Sequence, residues 1–344
     1  MAEPRFDVAI VGSGPLSLLL AAELVRIHGK RVARIGNVPS LQRLPRQVSI
    51  CLPLATRPST WRLVDTGLAE AREVLPGDGS EPLLAATEVL VTADLAASRT
   101  GLDHMAHMAL GHGLKARARD TGWLFSRVPV LRDQALYEAH GMAGAASAVT
   151  YPATDVRLEI ADGSATLSAG DTQIDAGLIV LVDDAALIEL LPTELWPEPL
   201  RLQSITSTLT APTSPIAAPV VHAFDRGVTL VRRDGNAVLA IIAGDADLET
   251  RLGSMFAGPF PIRRMATSRS HRVASLDGAP VVGPLAAGRI FIAAGLGSAA
   301  PFFGGPLARA ITGTSGDAET AWFTAHAPGS DRTQVAELST RVLT

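Results

Sequence analysis

The stretch Val8-Ala9-Ile10-Val11-Gly12-Ser13-Gly14-Pro15-Leu16-Ser17 carries the clearest chemistry in the sequence. A β-branched run feeds a glycine turn that opens into good helix formers. In that setting Gly12 permits a tight turn and Gly14 lets backbone approach an anion, whose charge is met by amides and the positive end of the following helix. The spacing is that of a dinucleotide-binding turn, with Gly12, Ser13, Gly14, Pro15, Leu16 and Ser17 expected against a pyrophosphate. Ser17 takes the place of a third glycine and is small enough to keep helix and strand close. The acidic residue that would accept ribose hydroxyls after the second strand is replaced by Gly36-Asn37. Asn37 offers an amide to a ribose hydroxyl, without the charge that strengthens a carboxylate acceptor. Arg34 suits either a 2′-phosphate or plain solvation.

A second glycine-rich constellation lies near the other end. Asp277-Gly278-Ala279-Pro280-Val281-Val282-Gly283-Pro284-Leu285 is followed by Arg289-Ile290-Phe291-Ile292-Ala293-Ala294-Gly295-Leu296-Gly297-Ser298. Together with the amino-terminal GxGPxS turn, this DGxPVxGP segment and AGxG-ending strand resemble the FAD-dependent amino-acid oxidoreductases related to D-amino-acid oxidase, glycine oxidase and sarcosine oxidase. The resemblance implies FAD as cofactor, with Gly283, Gly295, Leu296, Gly297 and Ser298 bringing backbone amides toward the flavin. It covers both ends of the chain, and the middle by pattern only. Asp183-Asp184-Ala185 stands where the family has a small-residue turn, and Ala300 where it has a later glycine.

The same resemblance implies a substrate clamp. Arg272 stands five residues before the Asp277-Gly278 pair, where the family often holds an amino-acid carboxylate, and a planar guanidinium gives two parallel charge-assisted hydrogen bonds. The alternative is a surface arginine among Arg263, Arg264 and Arg269. Neighbouring strand positions face opposite sides, so only one of His271 and Arg272 is expected to point inward. Amine oxidation by flavin needs orientation of the substrate more than an acid/base residue. Tyr137 and Tyr151 read as packing residues.

Other reactive side chains have plainer readings. His104 and His107 share a helix face with His112 near them, but only Asp103 accompanies them as a hard ligand, and no metal site is expected. Cys51, between Ile50 and Leu52, reads as a small buried hydrophobe rather than a flavin tether or nucleophile. Phe302-Phe303 would form either a cofactor-side wall or a subunit contact.

The elements that must position these residues follow from pattern. The 344 residues are 47% hydrophobic and 19% charged, which excludes a mainly disordered chain and gives a prior of about two domains. Thirty basic against 34 acidic side chains leave a net charge of -4, so no overall positive field favours nucleic acid or an anionic membrane. The apolar run from Val8 to Ile27 is broken by Gly12, Gly14, Pro15 and Glu23 and is not a membrane span. The lone Cys51 forms no internal disulfide and fits a reducing, cytoplasmic compartment.

Strand, turn, helix and the second strand Arg31 to Ile35 make a βαβ unit. Ser59 to Glu73 and Leu102 to Leu114 read as helices, and Leu83 to Thr92 and Trp123 to Leu131 as strands. A β-meander from Ala148 to Ile174 leads into a buried strand at Gly177 to Val182. Hairpins follow from Leu202 to Ala243. The fold class expected is α/β: a Rossmann-like FAD-binding domain with an inserted α+β substrate domain built on a mixed or antiparallel sheet. The discontinuous FAD-binding part spans 1–78, 145–195 and 265–325, the substrate or partner part 79–144 and 196–264, and a polar tail 326–344. Three functions are open at this level. The first is oxidation of the C–N bond of a small amino acid or secondary amine, with oxygen, a quinone or a partner subunit reoxidising the flavin. The second is a degenerate flavin-fold subunit serving as structural or maturation partner in a larger complex, and the third a flavoprotein that modifies a protein or peptide. Partners on these readings are a small substrate and either a partner subunit or a second copy.

Overall fold

The structure is a computed structural model that describes residues 5–37, 43–51, 57–75, 83–142, 148–161, 164–213, 215–244, 249, 251, 263–286 and 289–332. The Pro76-Gly77-Asp78-Gly79 and Asp162-Gly163 segments, which their residue types mark as turns, and the tail beyond 332 lie outside them. In chain order come β1 (Phe6–Val11), α1 (Pro15–Arg26), β2 (Val32–Ile35), α2 (Pro58–Val74), β3 (Leu84–Thr92), α3 (Ala96–Gly111), β4 (Lys115–Arg119), β5 (Gly122–Leu131) and α4 (Asp133–Met142). Then follow β6 (Val149–Tyr151), β7 (Val156–Ala161), β8 (Ser164–Ala169), β9 (Thr172–Ile174), β10 (Ala176–Leu181), α5 (Asp184–Leu190), β11 (Leu200–Thr210), β12 (Val220–Ala223), β13 (Val228–Arg232), β14 (Val238–Ala243) and β15 (Arg264–Ser275). The chain closes with β16 (Val281–Pro284), β17 (Ile290–Ala294), a 3-10 turn over Gly297–Phe303, and two helices, α6 (Gly304–Thr312) and α7 (Asp317–Ala325).

Three sheets organise the chain. The first has the order β16-β17-β10-β1-β2-β6, parallel except for β16. Its central strands are apolar on both faces because helices cover one side and the β7-β8-β9 meander and α5 the other. Leu16, Leu19, Leu20 and Leu24 recur at helical spacing on α1 and are all buried, so α1 seals the first face. Burial of each contributes about 1.5–3 kcal/mol.

The second sheet has eight strands, β15-β11-β14-β13-β12-β3-β5-β4, antiparallel except for the β12/β3 pair. This is the mixed sheet expected of an inserted domain on a Rossmann-like core. β15, which the expected boundary at 265 divides, runs whole in the large sheet and pairs with β11 along its length.

The carboxyl end packs on the core through α7 and the first residues of the tail expected from 326. α7 buries Trp322, whose indole Nε1 donates to Thr60 Oγ1 at 2.8 Å and whose ring stacks on His326 at 3.8 Å. Val282 N donates to the His326 carbonyl, and Arg332 forms a two-pronged ion pair with Asp277. Trp322, with Phe323 packed beside it, anchors a short helix whose remaining residues are small or polar, a weak apolar pattern. Among the described residues no helix is long and apolar enough to cross a membrane.

Candidate functional site

The two glycine turns meet at one end of the parallel sheet. β1 and β17 both lie beside β10 and run parallel to it, so Gly12 and Gly295 emerge at the same edge, two strand spacings or about 10 Å apart. Gly295 and Gly297 adopt φ of +71° and +56°, conformations that glycine takes without steric cost. The carbonyl of Ser298 accepts from Ile50 N at 3.0 Å, tying this turn to the segment before α2. Leu296 is buried. Gly283, on edge strand β16, faces Pro328, whose Cδ would lie 3.0 Å from an added Cβ.

Around the first turn the side chains are already spoken for. A Cβ on Gly36 would lie 2.1 Å from the carbonyl oxygen of Gly12 and 2.8 Å from Arg34 Nη1, so the end of β2 presses directly on the turn. That contact explains why no acidic side chain stands there: no side chain fits. Arg34, buried, reaches toward the Gly12 carbonyl at 3.5 Å. Asn37 spends its amide on the backbone of Ala153, accepting at 2.9 Å and donating at 3.4 Å, while its own N–H donates to Ser13 Oγ. Tyr137, a packing residue by its sequence reading, donates its hydroxyl to the Ser13 carbonyl at 3.1 Å. Pro15 and Leu16 open α1 within the core, and Ser17 Oγ donates back to the Gly14 carbonyl at 2.8 Å.

The amides that would cradle an anion hold the carboxylate of Asp183. Its Oδ2 accepts from Ser13 N at 2.6 Å and from Gly14 N at 3.3 Å, and its Oδ1 accepts from Ala186 N at 2.8 Å as the cap of α5. The cleft beside the turn has a volume of about 280 Å³ and is lined by Ser13, Ala153, Asp155, Asp183 and Glu189 among others. Three acidic residues thus line it, and its volume lies at the lower end of ligand pockets of roughly 300–1,000 Å³. A dinucleotide's pyrophosphate needs the Ser13 and Gly14 amides and a neutral or cationic surround. The residues present do not fit that group at this turn.

Next along the chain, Asp184 turns to the large sheet. Burial pushes its carboxyl up to about 6, against the lowering effect of a hydrogen bond from the Val273 backbone and of the Arg272 charge. Arg272 points inward on β15 and donates from Nε to Gln203 Oε1 at 2.7 Å, while His271 is exposed. The Arg272 terminal nitrogens have no hydrogen-bond partner among the described residues, and buried Gln203 Nε2 and His222 Nε2 have none either. His222, bonded through Nδ1 to Thr229 Oγ1 at 2.9 Å, is held down near 4 by burial and then by the Arg272 charge. Arg272 and Gln203 thus form a bonded polar pair on one face of the sheet, and His222, three strands from Gln203 on the same face, feels the Arg272 charge. The family resemblance pointed to Arg272. Gln203 carries no local signal, because only the pairing of β11 with β15 puts it opposite Arg272.

The remaining candidates separate. Burial pushes the Cys51 thiol well above its ordinary range, as for an inert core cysteine. It floors a second cleft of about 330 Å³ whose wall includes Asp65, His112, Lys115 and Arg127. His112 pairs with Asp65 at 3.5 Å and stacks on Trp61, whereas His107 hydrogen-bonds its own helix through the Asp103 carbonyl. Among the described residues no three ligands group to hold a metal. Phe302 and Phe303 are fully buried; Gly67 of α2 passes so near the Phe302 carbonyl that a Cβ would lie 1.7 Å from it. They are core residues and not a subunit contact.

A parallel sheet with a glycine turn under α1, a β-meander, and an eight-stranded sheet inserted in two pieces define the architecture of the amino-acid oxidases related to D-amino-acid oxidase, and this chain has that fold. Among solved structures it is similar to NikD, an unusual amino acid oxidase essential for nikkomycin biosynthesis (17% identity, 96% of this chain and 98% of that one, TM-score 0.69). It is similar also to L-proline dehydrogenase from P. horikoshii (14%, 94% and 97%, 0.68) and to glycine oxidase from Geobacillus kaustophilus (18%, 93% and 98%, 0.67). No family model and no curated protein matches the sequence.

Proposed function

We propose that this chain is a degenerate flavin-fold subunit that keeps the amino-acid oxidase architecture and serves as a structural or maturation partner in a larger complex. The observation that carries this reading is the Asp183 carboxylate on the Ser13 and Gly14 amides, in a cleft shared with Asp155 and Glu189. A diphosphate entering there would meet three like charges and lose its two best donors. The crowding of Gly36 on Gly12 adds to it, since it leaves no room for a ribose-binding side chain.

The test is spectroscopic. The purified chain is expected to be colourless, to show no flavin absorbance, and to take up no FAD on incubation and gel filtration. Yellow protein with flavin near one equivalent overturns the reading.

A second reading is favoured by one observation, the inward Arg272 bonded to Gln203 through Nε alone among the described residues. On that reading the protein is an FAD-dependent oxidoreductase acting on the C–N bond of a small amino acid or secondary amine, with Arg272 binding the substrate carboxylate. If flavin is found, Arg272→Ala should raise the Michaelis constant strongly and leave flavin content unchanged. Unchanged kinetics would reject the clamp.

A further inference from the structure

We infer that Asp183 is a tethered replacement for the anion that a glycine turn of this shape is built to hold, so that the chain completes the site with its own carboxylate and excludes phosphate from it. This rests on the flavin-free reading above and adds that the carboxylate itself competes with a free anion for these donors.

Three features of the structure converge on Asp183. First, α1 begins at Gly14 with no side-chain cap and no acidic residue in its first turn, so the positive end of this 12-residue helix is answered from outside the helix. Asp183 Oδ2 supplies that answer through Ser13 N and Gly14 N. Second, the other oxygen of the same carboxylate caps α5 through Ala186 N. One carboxylate is therefore held by the amino ends of two helices at once, and moving it leaves amide donors unmet at both. Third, the backbone is placed for this role. The end of β10 brings Asp183 Cβ to 4.0 Å from where a Cβ on Gly14 would be, and its Oδ2 to 3.3 Å from the same position on Gly12. A Cβ on Gly12 would press first on Val182 Cγ2, at 2.7 Å, and next on this carboxylate, whereas one on Gly14 would make only an ordinary contact with Asp183.

Tethering decides the competition. A covalently placed carboxylate acts at an effective concentration of millimolar or more without loss of translational freedom, so a free phosphate must outbind it by that margin. To yield, the Asp183 side chain would have to turn into a cleft already holding Asp155 and Glu189, where like charge opposes it. The donors beneath it keep the geometry of an anion nest.

The experiment uses the full chain in phosphate-free buffer, with inorganic pyrophosphate and ADP as probes, read by thermal unfolding and by calorimetric titration. Asp183→Ser keeps a hydroxyl that can cap α5 but has no charge and no reach to Ser13. Its unfolding temperature is expected to fall by several degrees and to recover saturably with pyrophosphate, while wild type responds to neither probe; the variant should bind pyrophosphate at least about tenfold more tightly than wild type. Asp183→Asn is the second variant, isosteric and neutral, and should lose stability to a similar degree. Wild type stabilised by pyrophosphate or ADP as much as the serine variant overturns the inference, and so do two variants as stable as wild type and unresponsive to either probe. If wild type is flavin-free but Asp183→Ser ignores pyrophosphate, only this inference fails. If wild type carries flavin, the reading beneath it fails as well.

Discussion

Gly36→Ala is a small change whose cost follows from one contact. The added Cβ would sit 2.1 Å from the Gly12 carbonyl oxygen and 2.9 Å from its carbon, nearly an ångström inside the 3.0 Å that real Cβ contacts respect. Both partners are backbone, and both are pinned. Gly12 N is bonded to the Ile35 carbonyl at 2.9 Å, and Gly36 N to the Tyr151 carbonyl at 3.1 Å. Relief therefore needs β1 and β2 to separate, which disturbs a register of four paired residues from Val8 to Val11. Overpacking against a rigid core costs typically 1–3 kcal/mol, and the upper end, about 3 kcal/mol, applies where no flexible side chain can yield. Gly14→Ala is the contrast. Gly14 has an ordinary φ of -77° and the nearest atom to its added Cβ is Asp183 Cβ at 4.0 Å, so its cost should stay below about 1 kcal/mol. Urea denaturation followed by circular dichroism measures both. If Gly36→Ala is as stable as wild type, or Gly14→Ala the more damaged of the two, the account of a turn closed by β2 and open toward Asp183 is wrong.

Further outcomes concern charge. Glu23 on α1 is buried, and burial followed by repulsion from Glu70 raises its carboxyl to about 7. A carboxyl whose folded pKa is raised gives stability that is full below its unfolded value near 4.5 and is lost as pH rises through about 7. Glu23→Gln should therefore be more stable than wild type at pH 8 by about 1–3 kcal/mol and near equal at pH 4, as measured by urea melts at the two pH values. Arg309 binds both oxygens of Glu319, at 2.9 and 2.6 Å, and also pairs with Glu70. Arg309→Ala would leave Glu70 and Glu319 unmatched beside Glu23; because the cluster is partly solvated, the loss should be about 2 kcal/mol rather than the roughly 3–5 kcal/mol of a fully buried pair. Thermal unfolding at pH 7 reads it, and restoration of most of that loss by Glu70→Gln in the same chain checks its electrostatic origin.

Periodicity and turn chemistry carried much of this molecule. The β1-turn-α1 unit, the apolar strand at 176–181 and the alternating hairpins of the large sheet are each local patterns, so their element types were readable without knowing what they touch. The glycine turns at both ends were equally legible, and their family resemblance led to the observed fold. Long-range pairing hid the rest. That β15 belongs to the large sheet, that Trp322 anchors α7 against Thr60, and that His222 and Gln203 share a face with Arg272 are consequences of register between residues far apart in the chain. Asp183 is the sharpest instance. As a letter in the sequence it was only a departure from a small-residue turn. The parallel pairing of β1 with β10 sets its carboxylate on the Ser13 and Gly14 amides, since side-chain hydrogen bonds between residues 170 apart depend on strand order and not on composition. The amino acids thus determined which elements form and where anions would be welcome, while tertiary packing alone decided which anion arrives.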